Sequence, residues 1–250
     1  MQIWQTRKLM SDSTSVVTNQ ILRTILVITN RRLLPHLQEV SLLAGQILQE
    51  SGTEISSIYF PQTARLALLL VMSDRSLVEI DSVGNEGLVG LPAILGSTRA
   101  TNRTVIQISG TAIELPVDVL QEEFRRGGEL QQLLLLYTQA QLNKIAQIAA
   151  CRTHHSIEQR FARWLLLIHD NSQYDKLPLT QKFISQMLGV RRASITEIAI
   201  SFQKQGIIQY SRGQITILNR AKLESVACEC YSKITSEYQR LIEPKLEIGH

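Results

Sequence analysis

The feature that most constrains this chain is the run of residues 179–218, LTQKFISQMLGVRRASITEIAISFQKQGIIQYSRGQITIL. Read with a period of 3.6, its first part puts Phe183, Ile184, Met187 and Leu188 on one face and predicts a helix over about 180–187. Thr180 suits the N-cap, because its hydroxyl can accept one of the backbone N–H groups left unpaired in a first turn. Gly189 then permits the left-handed backbone geometry that ends a helix in a tight turn. A second helix is predicted from near Arg191, with Ile195, Ile198, Ala199 and Phe202 spaced i, i+3, i+4, i+7. Its opposite face carries Arg192, Thr196, Glu197, Gln203 and Lys204. Two short alternating stretches follow, residues 207–210 and 214–217, around Ser211-Arg212-Gly213, and they read as a hairpin.

Two short helices joined through a glycine turn make a helix-turn-helix, and a hairpin directly after it makes the motif winged. The second helix of such a motif enters the DNA major groove with its N-terminal residues nearest the base edges. Arg192 is then placed for bidentate bonding to guanine, Thr196 for a thymine methyl or a base edge, and Glu197 to accept from a cytosine amino group. Arg191 falls to phosphate, as do Arg212 and Tyr210 from the hairpin. The candidate DNA-binding set is Thr180, Gln181, Arg191, Arg192, Ser194, Thr196, Glu197, Lys204 and Arg212. Charge agrees with it. Residues 1–150 hold 12 basic and 13 acidic side chains, whereas 151–250 hold 14 and 9, and the basic excess peaks between Lys176 and Lys222. That bias suits a polyanion.

Upstream the texture differs. Residues 1–18 read as a loose polar tail, and 19–38 are rich in helix formers, with Pro35 marking a turn. From 40 to 116, short apolar stretches alternate with turns at Gly45, Gly52, Gly84, Gly96 and Gly110, which predicts a small barrel or jelly roll. After a short amphipathic segment closed by Gly127-Gly128, residues 129–150 run without Pro or Gly. Leu130, Leu133, Leu134, Tyr137, Ile145 and Ile148 form an apolar stripe there, either buried in a core or paired with a copy of itself; pairing is the reading adopted, because this helix links two segments of different character. Another helix over 156–169 puts Ile157, Phe161, Trp164, Leu165 and Ile168 on one face, and the polar stretch 170–178 interrupts the pattern. The expected fold class is α+β, in four parts: an N-terminal extension (1–28), a jelly-roll-like β-roll sensor domain (29–128), a dimerisation helix (129–152) and a winged helix-turn-helix domain (153–250).

Other chemistry finds little support. No apolar run approaches the roughly 20 residues a bilayer demands, and the N-terminus lacks the pattern of a secretory signal, so a cytoplasmic protein away from membranes is expected. Cys151, Cys228 and Cys230 make a poor disulfide framework, and neither a second pair nor a nearby histidine completes a metal site, so they read as ordinary reduced thiols with no metal bound. His154 and His155 are adjacent and point apart, which fits a linker or helix start beside Glu158. Gly84, Gly87 and Gly90 lack the strand–helix context and the following Lys-Ser/Thr of a phosphate loop. No catalytic set is visible, so an enzyme is not expected. The competing class is a ligand-sensing module whose helix-turn-helix binds a protein partner.

The run 179–208 with its Arg-Gly hairpin resembles the winged helix of the Crp–Fnr transcription regulators. Residues 159–165, QRFARWL, are similar to the first helix of that DNA-binding domain. The helix over 129–150 resembles the family's dimerisation helix, and 40–116, including Gly84-Asn-Glu-Gly-Leu-Val-Gly90, its cyclic-nucleotide-type β-roll. The resemblance implies a homodimer on a double-stranded, pseudo-palindromic operator, with RNA polymerase as a further partner. It also implies an effector site, which would fall on Gly87, Leu88, Arg99, Ala100, Arg103 and Thr104. Gly87-Leu88 stands where cyclic-AMP-binding members have Gly-Glu, Arg99-Ala100 where they have Arg-Ser, with Arg103-Thr104 competing for that role, and Ile145-Ala146 where they present hydroxyls to the base. A leucine leaves ribose hydroxyls unpaired, at about 1–3 kcal/mol each, which argues against cyclic AMP and leaves the cofactor unassigned. No cysteine precedes Cys151, so the N-terminal iron–sulfur cluster of one branch of the family is not expected. Arg192 matches the family's guanine-reading arginine; Ala193 and Glu197 depart from its usual glutamate and second arginine, so the operator should differ.

Overall fold

The computed structural model describes residues 17–172 and 176–246. The polar tail expected over 1–18 falls almost wholly outside them, as does the middle of the stretch 170–178. In chain order the elements are α1 (Gln20–Ile28), β1 (Gln38–Leu42), β2 (Ile47–Gln49), β3 (Ser57–Pro61), β4 (Arg65–Val71), β5 (Leu77–Val83), α2 (Leu91–Ile94), β6 (Arg103–Ile108), β7 (Gly110–Pro116) and α3 (Val117–Arg125). They continue with α4 (Glu129–His154), α5 (Ile157–Asp170), β8 (Lys176–Leu177), α6 (Gln181–Leu188), α7 (Arg192–Lys204), β9 (Ile208–Ser211), β10 (Gln214–Ile217), α8 (Arg220–Val226) and α9 (Cys230–Leu246). This is the α+β arrangement expected: β-roll strands, a long helix, then a winged helix-turn-helix. Among the described residues no helix is long and apolar enough to cross a membrane.

The chain divides into two compact units. The first comprises Val83–Gln139 with the described residues before 67 and after 239. Its antiparallel sheet has the order β1-β7-β3, with Val40 opposite Ala112 and Phe60 opposite Ile113. β2 pairs with β6 across a register shift between Ile47 and Gln49. Period-two alternation carries Ile58 and Phe60 of β3 and Thr104, Ile106 and Ile108 of β6 into the interior. Asn19 caps α1 by accepting from the Leu22 N–H, and its side-chain amide donates to Pro61 O (2.9 Å) and Gly87 O (2.8 Å). The helix so anchored buries Ile21, Leu22, Ile25 and Leu26.

The first turns of α4 belong to the same unit and correct the expected dimer seam. Leu130, Leu133, Leu134 and Tyr137 are buried inside the single chain, and Ile148 further along is buried too, so a second copy cannot reach them. The large apolar side chains that α4 leaves in solvent are Leu135, Leu142 and Ile145. Of the six expected seam positions Ile145 alone is exposed. The helix carries apolar residues on more than one face, and spacing does not tell which face its own protomer covers.

The second unit comprises Ala67–Ser82 and Ala140–Gln239. Ser156 and Gln159 form a reciprocal capping box that starts α5. α5 buries Phe161, Trp164, Leu165 and Ile168, as its periodicity predicted. Phe161 stacks on Phe202 of α7 with ring centroids 5.8 Å apart and planes within 2°, which fixes the second helix of the motif on the first helix of its domain. The stretch expected only to break the pattern supplies a strand: β8 pairs with β10, Leu177 opposite Ile215, giving a three-stranded wing of order β8-β10-β9.

Candidate nucleic-acid interface

The motif is built by local chemistry. The Thr180 hydroxyl accepts from the Phe183 N–H at 3.2 Å and starts α6. Gly189 ends it in the left-handed region (φ 65°, ψ 43°), where the Gly189 and Val190 amides return to Gln186 O and Ser185 O. From that turn α7 sets off at Arg192, with Arg191 extended at its N-cap. Arg191, Arg192 and Ala193 are exposed, at the helix end whose free N–H groups and dipole favour an anion. The wing tip is a two-residue turn in which Arg212 (φ 51°) and Gly213 (φ 77°) are both left-handed, as a tight hairpin requires. Gly213 lies against Thr180, whose methyl would sit 3.3 Å from an added Cβ.

Of the nine expected DNA-binding residues, Thr180, Arg191, Arg192, Glu197, Lys204 and Arg212 are exposed. Gln181, Ser194 and Thr196 are half-buried. The Thr196 hydroxyl donates to Gln181 Oε1 (2.9 Å), with Arg192 O also in reach at 3.1 Å. Thr196 therefore ties α7 to α6 through its hydroxyl proton. Tyr210, expected to reach phosphate, accepts the Gln181 N–H through its hydroxyl at 3.1 Å and so also seats the wing on α6.

Behind the motif the same unit holds a polar cluster that sequence reasoning missed. Trp164 Nε1 donates to Glu79 Oε1 at 2.9 Å, and Arg152 bonds the Glu79 carbonyl. Lys144 Nζ meets Asp81 Oδ1 at 2.5 Å and donates to Ser82 O at 2.9 Å. These groups fasten the hairpin β4–β5 to α4 and α5. Their partners lie 62 to 85 residues apart in sequence, and no local pattern announces them.

The expected effector residues lie in the first unit. Tyr137 occupies the space beside Gly87, where an added Cβ would collide with its hydroxyl. That hydroxyl accepts from the Leu88 N–H at 3.0 Å and faces the Leu88 carbonyl at 3.3 Å. The Leu88 residue is 2% exposed. Arg99 donates to Gly52 O (2.7 Å), Arg103 to Glu50 Oε1 (2.8 Å), Ala100 is buried, and the buried Thr104 hydroxyl has no hydrogen-bond partner among the described residues.

The reading of the cysteines is corrected. Cys151, Cys228 and Cys230 are buried together, and His155 joins them with its Nδ1 at 3.5 Å from Cys230 Sγ. A nearby histidine therefore exists. The overlooked signal is Cys151-x3-His155, a spacing that puts both side chains on one helical face. Burial pushes the Cys151 thiol up and that of Cys228 to about 12.

A glycine-turned helix pair with an exposed arginine-led second helix and a three-stranded wing defines a winged helix-turn-helix DNA-binding domain. Residues 159–226 match the Crp-like helix-turn-helix domain. The fumarate and nitrate reduction regulatory protein of Vibrio cholerae is 22% identical over 192 residues, 73% of this chain and 76% of that protein. The anaerobic regulatory protein of Aggregatibacter actinomycetemcomitans is 22% identical over 187 residues, 72% of each. The fold is shared with FixK2 from Bradyrhizobium japonicum (TM-score 0.66, 15% identity, 77% of this chain and 98% of that one). It is also shared with the CRP-family regulator TTHB099 of Thermus thermophilus (TM-score 0.63, 14% identity, 76% and 96%). The chain is a DNA-binding transcription regulator, similar to those of the Crp–Fnr type.

Proposed function

We propose that the chain acts as a homodimer on a pseudo-palindromic operator, each protomer reading one half-site with α7. The observation that carries this is Arg192: first residue of α7, exposed, and aimed outward by the Gly189 turn. Arg192 would pair bidentately with guanine and Glu197 would accept from cytosine, while Arg191, Lys204 and Arg212 would hold phosphates. Thr196 and Gln181 position α7. The dimer seam would run along α4 through Leu135, Leu142 and Ile145, which are seven and three residues apart and exposed. RNA polymerase would meet the bound dimer.

An effector, if the β-roll takes one, would not be cyclic AMP. Leu88 supplies no polar side chain, and its amide already bonds Tyr137. Selection from random duplexes with the purified full chain tests the whole reading. The result it requires is an inverted repeat with half-site centres about 34–36 Å apart and affinity that falls steeply with salt. No enriched sequence, or salt-insensitive binding, would refute it in favour of a protein-binding motif.

A further inference from the structure

Cys151 lies in the last turn of α4 and His155 directly after it, one helical turn on. Cys228 sits between α8 and α9, and Cys230 is the first residue of α9. The fold brings one donor atom from each to within 4.8 Å of all the others. Two edges of the figure they make are 3.5 Å long, Cys151 Sγ to Cys228 Sγ and Cys230 Sγ to His155 Nδ1. A tetrahedral zinc with bonds of about 2.3 Å to sulfur and about 2.0 Å to nitrogen has ligand–ligand edges of about 3.5–3.8 Å. The donors therefore already stand near the corners of such a polyhedron.

The surroundings are those of a ligand shell. His155 points its other nitrogen, Nε2, at Glu229 Oε2, 3.1 Å away, which leaves the Nδ1 lone pair facing the sulfurs. A carboxylate on the far side of a histidine is the usual support of a metal-bound imidazole. Gln147 Nε2 donates to Cys230 Sγ at 3.0 Å. Arg163 is buried beside Cys151, and its Nε has no hydrogen-bond partner among the described residues. Three thiolates around a divalent ion carry a net negative charge that this guanidinium would balance.

We propose that Cys151, His155, Cys228 and Cys230 bind one zinc ion in a closed Cys3His site. A Cys151–Cys228 disulfide would leave Cys230, His155 and their supports without a purpose. An iron–sulfur cluster spreads its terminal ligands over more than one iron and needs them farther apart than this compact set. With four protein ligands and no open position the ion is structural rather than catalytic. It clips the end of α4 to the start of α9, closing a loop of 77 residues. That loop contains α5, the helix-turn-helix and the wing. The zinc thus holds together the domain that carries α7.

The test uses the full chain purified under reducing conditions and reads metal rather than DNA. Elemental analysis should find one zinc per chain, and cobalt put in its place should give the intense visible bands of a tetrahedral thiolate site. Zinc competition against a chromophoric chelator should show Glu229→Gln and Gln147→Ala weakened by about 10- to 100-fold, and Cys230→Ser weakened more. Because Cys230 is buried and its variant can misfold, the exposed Glu229 carries the decisive comparison. Failure to retain zinc after reconstitution overturns the proposal. So does iron with acid-labile sulfide, a Cys151–Cys228 disulfide in the zinc-free protein, or wild-type zinc affinity in Glu229→Gln.

Discussion

The proposed dimer seam gives the sharpest contrast between what spacing implies and what packing allows. Leu142 is 58% exposed in the single chain, whereas Leu134 is fully covered by its own protomer. Burying a leucine side chain outright is worth about 1.5–3 kcal/mol, so the part of Leu142 still open offers roughly 1–1.5 kcal/mol to an interface, and twice that across a two-fold axis. Leu142→Ala should therefore weaken dimerisation by about 2–3 kcal/mol, some 30- to 150-fold in the dissociation constant, and leave the fold of each protomer intact. Leu134→Ala should do the reverse: it should cost about 2–5 kcal/mol of folding stability and leave the association constant of the folded chain alone. Sedimentation velocity over a dilution series reads the first quantity. Denaturant unfolding far above the dimer dissociation constant reads the second, so that mass action does not mix the two. An unchanged dimer in Leu142→Ala, or a folded Leu134→Ala that has become monomeric, would refute the assignment of the outward face.

Two further outcomes follow from local geometry. At Gly189 nothing among the described residues lies within 4 Å of an added Cβ, so Gly189→Ala should pay only the left-handed conformational cost, about 1–2 kcal/mol. Gly189→Asn should cost less, and a thermal melt in which alanine is tolerated as well as glycine contradicts the turn. Glu123 meets Arg32 through two bonds of 3.1 and 2.7 Å, and the guanidinium holds its carboxyl below the ordinary value of about 4.5. A carboxyl depressed by folding stabilises fully above that ordinary value and progressively less as pH falls through the lowered one. The melting temperature of the wild type should drop in that acid window more steeply than that of Glu123→Gln, and parallel curves would dismiss the pair.

How much of this was legible in the sequence follows from how local each feature is. Thr180, Gly189 and the Ile195–Phe202 spacing act within a turn or two of chain, and they marked the helix-turn-helix correctly. Strand β8 is two residues long and exists because Leu177 and Lys176 find β10, a pairing no period reveals. Along α4 the apolar positions were visible, but the face that its own unit covers depends on the Gly87–Leu88 loop, which takes the Tyr137 hydroxyl 49 residues away. His154 and His155, adjacent in sequence, point apart, and local spacing offers no third ligand beside them. What matters is the company His155 keeps with Cys230, 75 residues on. Tyr210 and Thr196 are polar and lie on the motif, but no local spacing shows that both hydroxyls also bond Gln181.

The central claim is that Arg192 reads sequence from the start of α7. Fluorescence anisotropy tests it most directly, comparing wild type and Arg192→Ala on the selected operator and on a scrambled duplex over a range of salt. The account predicts a loss of about 1–3 kcal/mol for each half-site on the operator, with little change on the scrambled duplex and with the dimer preserved. Equal operator affinity for the two proteins would contradict it.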